Sequence, residues 1–207
     1  MTILTPALNF EPELLLRAQG IRVVFFDVDG VLTDGGLYFS EYPDGHEAAV
    51  RTGGFRASGE IIKRFNTLDG HGLKLLAQYG IVPVVITGRD SPAVRRRVAD
   101  LGITHAVYGA SDKLAAAHSV MATLQLGWDT LAAMGDDWPD LPLLTRAAFA
   151  CAPANAHVEV KAVAHHVTLA PGGHGAAREC CDLLLMAAGR YADALRGHLV
   201  TLDGGGA

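Results

Sequence analysis

Two aspartates spaced one residue apart follow an apolar run early in the chain. The stretch VVFFDVDGVLTDGG places Asp27 and Asp29 directly after four apolar residues, and Gly30 lets the backbone turn sharply there. Such a carboxylate pair suits nucleophilic and acid–base chemistry, although an Asx turn closing the strand is the competing interpretation. A calcium loop of the EF-hand type is excluded, because Val31 and Leu32 occupy the positions that need an oxygen ligand and a glycine.

A second group of carboxylates lies near the middle of the chain. MGDDWPDLP carries Asp136, Asp137 and Asp140 within five residues, directly after another apolar run. Like charges this close repel, so a bound cation is expected, and carboxylates without His or Cys favour Mg²⁺ over Zn²⁺. Helix capping, with Pro139 at the first helical position, would explain one or two of these acids but not all three.

Donor groups follow two further apolar runs. In VVITGRD, Thr87 offers a hydroxyl, Gly88 allows close backbone approach, and Arg89 offers a planar fork for an oxyanion. In GASDKLAA, Lys113 stands at a predicted helix N-terminus, where it opposes the helix dipole; this favours a bound anion nearby. Taken alone, the TGRD segment is better explained as a strand followed by a helix cap, and Lys113 as a solvated surface lysine. Their value lies in the combination.

The elements that must position these residues alternate between strands and helices. We predict strands at Ile21–Phe26, Ile81–Ile86, His105–Tyr108, Thr130–Met134 and Ala148–Ala152. We predict helices at Gly70–Tyr79, Ser91–Leu101 (capped by Ser91), Asp112–Leu126 (capped by Asp112) and Pro139–Ala147. Strands that are apolar throughout indicate a doubly wound parallel sheet in an α/β fold, whose ligands bind at the carboxyl ends of the strands.

This arrangement predicts phosphoryl transfer, since it gathers acids, a hydroxyl and a lysine at one edge of the sheet. Asp27 would attack phosphorus to give an aspartyl-phosphate, while Mg²⁺ screens the repulsion between carboxylate and phosphate. Thr87 and Lys113 would hold the phosphoryl oxygens, and Asp29 would protonate the leaving group and later activate water. Asp34 belongs to the lead into the next segment and is left out of the chemistry.

The motifs resemble those of the haloacid dehalogenase superfamily, in the order DVDGV, TGR, Lys113 and GDDWPD. They most resemble the motifs of the 3-deoxy-D-manno-octulosonate 8-phosphate phosphatases, and this resemblance extends from about Phe25 to Gly189. The segments that carry it are FDVDGVLTDG, FNTLDGHG, ITGRDSPAVRRRVADLGI, GDDWPDLPLL and GGHGAAREC. The resemblance implies a Rossmann-like core with no large cap domain. It implies Mg²⁺ held by Asp27, Asp136 and the carbonyl of Asp29. It also implies a homotetramer in which hairpins pack together and a neighbouring subunit closes each active site.

Within that resemblance, several residues are expected to meet the sugar. Asp69, Gly70 and Gly72 would approach it, and Gly88 with Arg89 would contact its polar groups. A loop at the start of a helix is the alternative for the DGHG segment, above all for His71. Arg178 and Glu179 are expected to hold the Gly-rich turn at 172–175 against the sheet, and such a turn before a helix can also bind an anion.

Length and composition bound the remaining possibilities. The 207 residues fit a single domain, 1–207, with a β-hairpin insert at 37–65 after the first strand and a mobile tail at 203–207. The net charge of −5 argues against nucleic acid, and no apolar run is long enough for a membrane. We expect a cytoplasmic protein for two reasons. The start of the sequence shows no basic segment followed by an apolar one, and the three cysteines are expected to be buried thiols.

Three alternatives stay open at this stage. A phosphatase for a nine-carbon 2-keto-3-deoxy sugar acid phosphate would carry nearly the same motifs. A phospho-receiver domain is also doubly wound, but it is shorter and carries its aspartate on a middle strand. A scaffold without activity would not need Asp27, Asp29, Thr87, Lys113 and Asp136 together.

Overall fold

The computed structural model describes residues 6–39 and 60–200. Its strands are β1 (Val23–Phe26), β2 (Tyr38–Phe39), β3 (Glu60–Ile62), β4 (Val82–Ile86), β5 (His105–Val107), β6 (Leu131–Met134), β7 (Phe149–Ala152) and β8 (His166–Val167). Its α-helices are α1 (Pro12–Arg17), α2 (Thr67–Gln78), α3 (Pro92–Leu101), α4 (Lys113–Leu124), α5 (Leu141–Leu144), α6 (Val158–Val163), α7 (Ala176–Ala187) and α8 (Tyr191–Val200).

The main sheet is parallel and has the order β5-β4-β1-β6-β7-β8. β1 pairs with β4 on one side and with β6 on the other, so that Val23 lies opposite both Val82 and Leu131. The chain therefore leaves β1 at a switch point, where the connections on its two sides diverge and a crevice opens beyond the strand ends. This confirms the predicted doubly wound α/β fold.

Helices cover both faces of the sheet, as the apolar strands require. Along β1, Val24 and Phe26 pack with α2 and α7, while Val23 and Phe25 face the layer that contains α4, α5 and α6. Because both faces are covered, β1, β6 and β7 are buried along their whole length. The three cysteines lie in this interior as unpaired thiols, as predicted.

Two predicted helix caps are confirmed. The side chain of Ser91 accepts a hydrogen bond from Val94 N, and that of Asp112 accepts from Leu114 N and Ala115 N. The single helix predicted at Pro139–Ala147 is wrong, since a 3₁₀ turn at Trp138–Asp140 precedes the short α5. The acid-rich loop is thereby wound more tightly than an α-helix, which brings Asp140 back toward the loop backbone.

An antiparallel pair marks the predicted hairpin insert. β2 and β3 pair antiparallel through Tyr38 and Ile62, so the two described ends of this segment lie side by side, as a hairpin requires. The centre of the predicted insert, 40–59, and the predicted tail at 203–207 lie outside the described residues. Across the ranges that the structure describes, no helix combines the length and the apolar character needed to cross a bilayer.

Candidate active site

Asp27 stands at the carboxyl end of β1, where its backbone N–H donates to Met134 O over 3.0 Å. The side chain is only 9% exposed, and its Oδ1 lies 2.8 Å from Lys113 Nζ. Lys113 is the first residue of α4, and the Asp112 cap fixes the direction in which that helix starts. The structure thus brings Asp27, the predicted nucleophile, into direct contact with Lys113, which is predicted to bind the phosphoryl oxygens.

A cluster of three carboxylates surrounds this pair. Oxygens of Asp27, Asp136 and Asp140 all lie within 4.8 Å of one another. Burial raises the pKa of Asp27 to about 6, with the Asp140 carboxylate adding to the effect and Lys113 opposing it. Burial likewise raises the pKa of Asp136 to about 7, helped by the carboxylates of Asp27 and Asp140. The donor set is hard oxygen, crowded and short of positive charge, and it therefore fits Mg²⁺.

Lys113 supplies a single positive charge to this cluster. Its Nζ lies 2.5 Å from Asp140 Oδ1, in addition to its contact with Asp27. Burial favours the neutral amine, but the carboxylates of Asp27 and Asp140 outweigh it and raise the pKa of Lys113. The ammonium therefore stays charged and joins the loop after β1 to the loop after β6.

Asp140 organises the acid-rich loop. Its Oδ2 accepts hydrogen bonds from the backbone N–H groups of Asp136 (3.1 Å) and Asp137 (3.3 Å), while its Oδ1 meets Lys113. With both oxygens engaged, Asp140 acts on the loop's shape, whereas the carboxylate of Asp136 lies beside Asp27. Asp137 is exposed, and among the described residues its carboxylate makes no direct hydrogen bond or ion pair with Asp27 or Asp136. The sequence alone did not distinguish these three roles.

Gly30 allows the two acidic loops to touch. Its φ is +83°, and a Cβ built there would lie 2.0 Å from Asp136 Oδ2. A side chain at this position would both strain the backbone and displace the Asp136 carboxylate. The Asp-Gly turn noted in the sequence is thus also a contact between the two halves of the site.

Asp29 lies beside two cations. Its Oδ1 contacts Lys63 Nζ, and its Oδ2 lies 3.4 Å from Arg89 Nε. The Lys63 side chain is fully buried, whereas Arg89 is about half exposed at 47%. The cluster of three carboxylates consists of Asp27, Asp136 and Asp140, and the Asp29 side chain is not part of it. The predicted part of Asp29 in metal binding is that of its carbonyl, and this assignment stays a prediction.

Lys63 was missed by the sequence analysis. It follows β3 directly, at the end of the hairpin, and reaches an aspartate 34 residues earlier in the chain. A lysine next to the apolar pair of Ile61 and Ile62 was the available signal, but surface lysines at hairpin ends are common.

The remaining groups predicted on the phosphate side follow β4. Thr87 is buried, and its Oγ1 accepts a hydrogen bond from Arg89 N over 3.3 Å. Gly88 is exposed, and the nearest atom to a Cβ built there would be Ala110 O at 3.7 Å. The structure therefore places Thr87, Gly88 and Arg89 in one short turn beside Asp29, where the predicted contacts with phosphate and sugar remain predictions.

Asp69, Gly70 and Gly72 lie within α2 and pack against other helices. Asp69 is 2% exposed, and its carboxylate accepts from Gly175 N (3.2 Å) and Arg178 N (2.9 Å), which caps α7. Burial raises the pKa of Asp69, although these backbone donors oppose the shift. The carboxylate is therefore engaged in joining two helices, and nothing in its contacts supports the predicted role in sugar binding.

The two glycines have steric roles in the same packing. A Cβ at Gly70 would lie 2.2 Å from Arg97 Nη2, and one at Gly72 would lie 3.1 Å from Arg178 Cδ. The alternative interpretation of the DGHG segment, as the start of a helix, matches the first turn of α2. Contact between these glycines and the sugar stays a prediction that this chain's own contacts do not support.

Arg178 and Glu179 make structural contacts. Arg178 Nε lies 2.8 Å from Asp182 Oδ1 one turn along α7. Glu179 accepts from Leu169 N over 3.0 Å and lies 2.9 Å from His166 Nε2, which fastens β8 to α7. These contacts hold the segment on either side of the Gly-rich turn, in line with the structural role expected for both residues.

Comparisons with known proteins agree with this geometry. The family described as haloacid dehalogenase-like hydrolase matches residues 107–179. A 3-deoxy-D-manno-octulosonate 8-phosphate phosphatase from Yersinia pestis is 39% identical over 175 residues, which cover 84% of this chain and 85% of that protein.

Solved structures show the same likeness. The phosphatase of that name from Moraxella catarrhalis, in complex with magnesium ion, phosphate ion and KDO, has a TM-score of 0.78 and 34% identity, covering 90% of this chain and 98% of that one. The cobalt-bound phosphatase from Haemophilus influenzae has a TM-score of 0.74 and 38% identity, covering 84% and 93%.

Proposed function

Since the chain belongs to the haloacid dehalogenase-like hydrolases, and among them to the 3-deoxy-D-manno-octulosonate 8-phosphate phosphatases, we propose that it hydrolyses this sugar-acid phosphate with Mg²⁺ as its cofactor. It is a phosphoric monoester hydrolase. The observation that carries the proposal is the buried Asp27 carboxylate, held 2.8 Å from Lys113 beside Asp136 at the end of β1. A phospho-receiver domain and an inactive scaffold do not fit this family and this set of groups.

In the first step, an oxygen of Asp27 forms a bond to phosphorus while the bond between phosphorus and the sugar's C8 oxygen breaks. Asp29 donates a proton to the departing oxygen. In the second step, water gives its proton to Asp29 and attacks phosphorus, so that the bond to Asp27 breaks and inorganic phosphate leaves. Lys113 and Thr87 hold phosphoryl oxygens while charge shifts between the two bonds.

Asp27 and Asp136 would hold the Mg²⁺, with the Asp29 carbonyl as a further ligand. When bound, the ion screens the repulsion between a carboxylate nucleophile and an anionic phosphate, which would otherwise oppose attack. Burial, together with the neighbouring carboxylates, raises the pKa of Asp27 to about 6 and that of Asp136 to about 7, and a bound cation would favour the charged form of both groups. Lys113 alone offsets only part of this rise in pKa.

Arg89 is the group best placed to select the sugar acid. Its guanidinium lies beside Asp29 and is half exposed, so it can also meet an anionic group of an arriving substrate. A planar guanidinium pairs well with a carboxylate, which a 2-keto sugar acid carries and a neutral sugar phosphate lacks. We assign to Arg89, with Gly88 leaving room beside it, the recognition of that carboxylate.

The assembly we propose is a homotetramer in the cytoplasm, in which the hairpins of four subunits pack together and a neighbouring subunit closes each site. The cross-strand pair Tyr38 and Ile62 supports it, because these apolar side chains are 50% and 60% exposed in the single chain. Buried free thiols suit a reducing compartment. Light scattering would test the assembly, with four subunits expected and a stable monomer contradicting it.

The function is tested by phosphate release from a panel of sugar phosphates in the presence of Mg²⁺. The panel includes the eight-carbon acid phosphate, its nine-carbon analogue and neutral hexose phosphates. The eight-carbon substrate should have the highest kcat/KM, and the Asp27→Asn variant should be inactive. Asp137→Asn is the matched control, since it changes an exposed acid in the same loop and keeps its capping ability. Equal activity in excess EDTA would contradict the proposal.

A further inference from the structure

One segment after β7 contacts both of the acidic loops that form the site. The backbone N–H of His157 donates to Asp136 O over 2.8 Å, on the β6 side. Two residues earlier, the side-chain amide of Asn155 donates to Gly30 O over 3.0 Å, on the β1 side. The separation of the two loops is thus spanned by three consecutive residues of a segment that carries no acid of the site.

Asn155 also binds a third element. Its Oδ1 accepts a hydrogen bond of 2.6 Å from the backbone N–H of Gly172, in the Gly-rich turn before α7. That turn packs directly on the loop after β1, since a Cβ at Gly172 would lie 1.8 Å from Gly30 O, and Gly173 N donates to Val31 O over 3.0 Å. Gly30 and Gly172 are both buried.

The chemistry of the side chain matches these two partners. A carboxamide offers a donor and an acceptor on one planar group, and here each satisfies a buried backbone atom. Without the amide, the Gly30 carbonyl would lose its donor and the Gly172 N–H would lose its acceptor, at a place where the two segments are closely packed. An aliphatic residue at 155 would leave both unsatisfied.

Gly30 links the hydrogen bonds of Asn155 to the predicted metal site. On its other side, a Cβ would lie 2.0 Å from Asp136 Oδ2, and the residue before it is Asp29. A shift of the Gly30 peptide therefore moves both the Asp29 carbonyl and the surface on which the Asp136 carboxylate rests. Groups that orient metal ligands without touching the ion commonly govern metal affinity.

We propose that Asn155 is a positioning residue for the Mg²⁺ site: it sets the Gly30 peptide, and with it the spacing between the acidic loops, by bridging Gly30 and Gly172. This inference rests on the proposed function, because it concerns the same metal site. Nothing in the family motifs used in the sequence analysis singles out Asn155, which follows Pro153 and Ala154 in an ordinary turn.

The test compares Asn155→Ala with Asn66→Ala. Asn66 also holds the Gly-rich turn, through Nδ2 to Gly173 O at 3.4 Å, and it caps α2, but it does not touch Gly30. For each purified variant, Mg²⁺ binding is measured by calorimetry in the absence of substrate, kcat and KM are measured at saturating Mg²⁺, and hydrogen exchange reports the Gly172 amide.

For Asn155→Ala we expect Mg²⁺ to bind about tenfold more weakly, which is the low end of the range for residues that orient metal ligands. We also expect kcat to fall, KM to stay unchanged and the Gly172 amide to exchange faster. Asn66→Ala should lower the melting temperature and leave Mg²⁺ affinity within about twofold. A folded Asn155→Ala protein that binds Mg²⁺ like the wild type overturns the proposal, as does an equal loss in both variants. Failure of the proposed function is distinguishable, because the wild type itself would then release no phosphate.

Discussion

Two buried aspartates lie in glycine-containing segments of the chain, and they do different things. Asp69, in DGHG, is buried between α2 and α7 and accepts two backbone N–H groups, so its charge is met by the protein. Asp27, in DVDG, is buried with two further carboxylates and one lysine, so its surroundings are short of positive charge. The first arrangement stabilises the fold, and the second reserves a place for a cation and a phosphate.

The comparison also shows that burial alone does not mark a reactive carboxylate. Burial raises the pKa of both Asp27 and Asp69. The two carboxylates differ in their neighbours: Asp27 lies beside other acids, whereas Asp69 accepts hydrogen bonds from backbone N–H groups. Activity and stability, measured in the same variants, separate the two regions.

The largest effect is expected from Asp27→Asn. The amide keeps the size of the side chain but cannot attack phosphorus, so kcat should fall by at least ~10⁴-fold. Stability in the absence of Mg²⁺ should not fall, because the change removes one charge from a repelling cluster. Phosphate release and thermal melting of one preparation check both halves. A kcat within about tenfold of the wild-type value would contradict the assigned role.

Lys113→Met is expected to damage both properties. It leaves Asp27 and Asp140 without their shared cation, which costs about 3 kcal/mol or more when a buried pair is broken. We also expect kcat to fall by about 10²-fold or more, since the variant lacks a charged hydrogen-bond donor to the phosphoryl oxygens. Denaturant titration and steady-state kinetics measure the two effects. A variant as stable and as active as the wild type would contradict both roles assigned to Lys113.

Asp69→Ala should affect stability alone. It removes two hydrogen bonds at the start of α7 and leaves their donors buried, at a cost of about 1–3 kcal/mol each. At a temperature where the variant stays folded, kcat and KM should lie within about threefold of the wild type, because a capping residue does not meet the reacting groups. A large rise in KM with unchanged stability would instead restore the predicted contact with the sugar.

Removal of Mg²⁺ should make the stability of the protein depend on pH. The folded-state pKa values of Asp27 and Asp136, about 6 and about 7, lie above their usual value of 3.8. Folding therefore favours the protonated forms, and the metal-free protein should lose stability as pH rises through about 6 to 7. The melting temperature in EDTA should fall by several degrees between pH 5.5 and 8, since 1 kcal/mol corresponds to roughly 2–4 °C.

With saturating Mg²⁺ that fall should become smaller, because the ion binds the charged carboxylates of the folded state. Melting curves in EDTA and in Mg²⁺ at each pH give the comparison. The Asp69→Ala variant should show the same difference between the two conditions, since its site is intact. A stabilisation by Mg²⁺ that is equal at pH 5.5 and pH 8 would contradict the assignment of the cluster.

The sequence predicted the sheet and the principal acids because both depend on local patterns. The strands of the main sheet before β8 are apolar runs, apart from His105 at the start of β5, and each predicted site group follows such a run within a few residues. In a parallel sheet this alone brings Asp27, Thr87, Lys113 and Asp136 to one edge. Non-local contacts were beyond its reach. The partner of Lys63 is 34 residues away, and the partners of Asn155 are 125 and 17 residues away.

Asp69 shows the second limit of the sequence. An aspartate before a glycine is compatible with a turn, a cap and a binding loop, and the choice depends on which helix end packs against it. Only the position of α7 relative to α2 decides that its carboxylate meets Gly175 and Arg178.

The central claim, that Asp27 is the phosphorylated nucleophile, is tested most directly by trapping the intermediate. The wild-type enzyme is mixed with substrate and Mg²⁺, quenched in acid within milliseconds and reduced with borohydride, which converts an acyl phosphate to an alcohol. Peptide sequencing by mass spectrometry should then find homoserine at position 27, and none when Mg²⁺ or substrate is omitted. Homoserine at Asp29 or Asp136, or at no position during demonstrated turnover, would contradict the account.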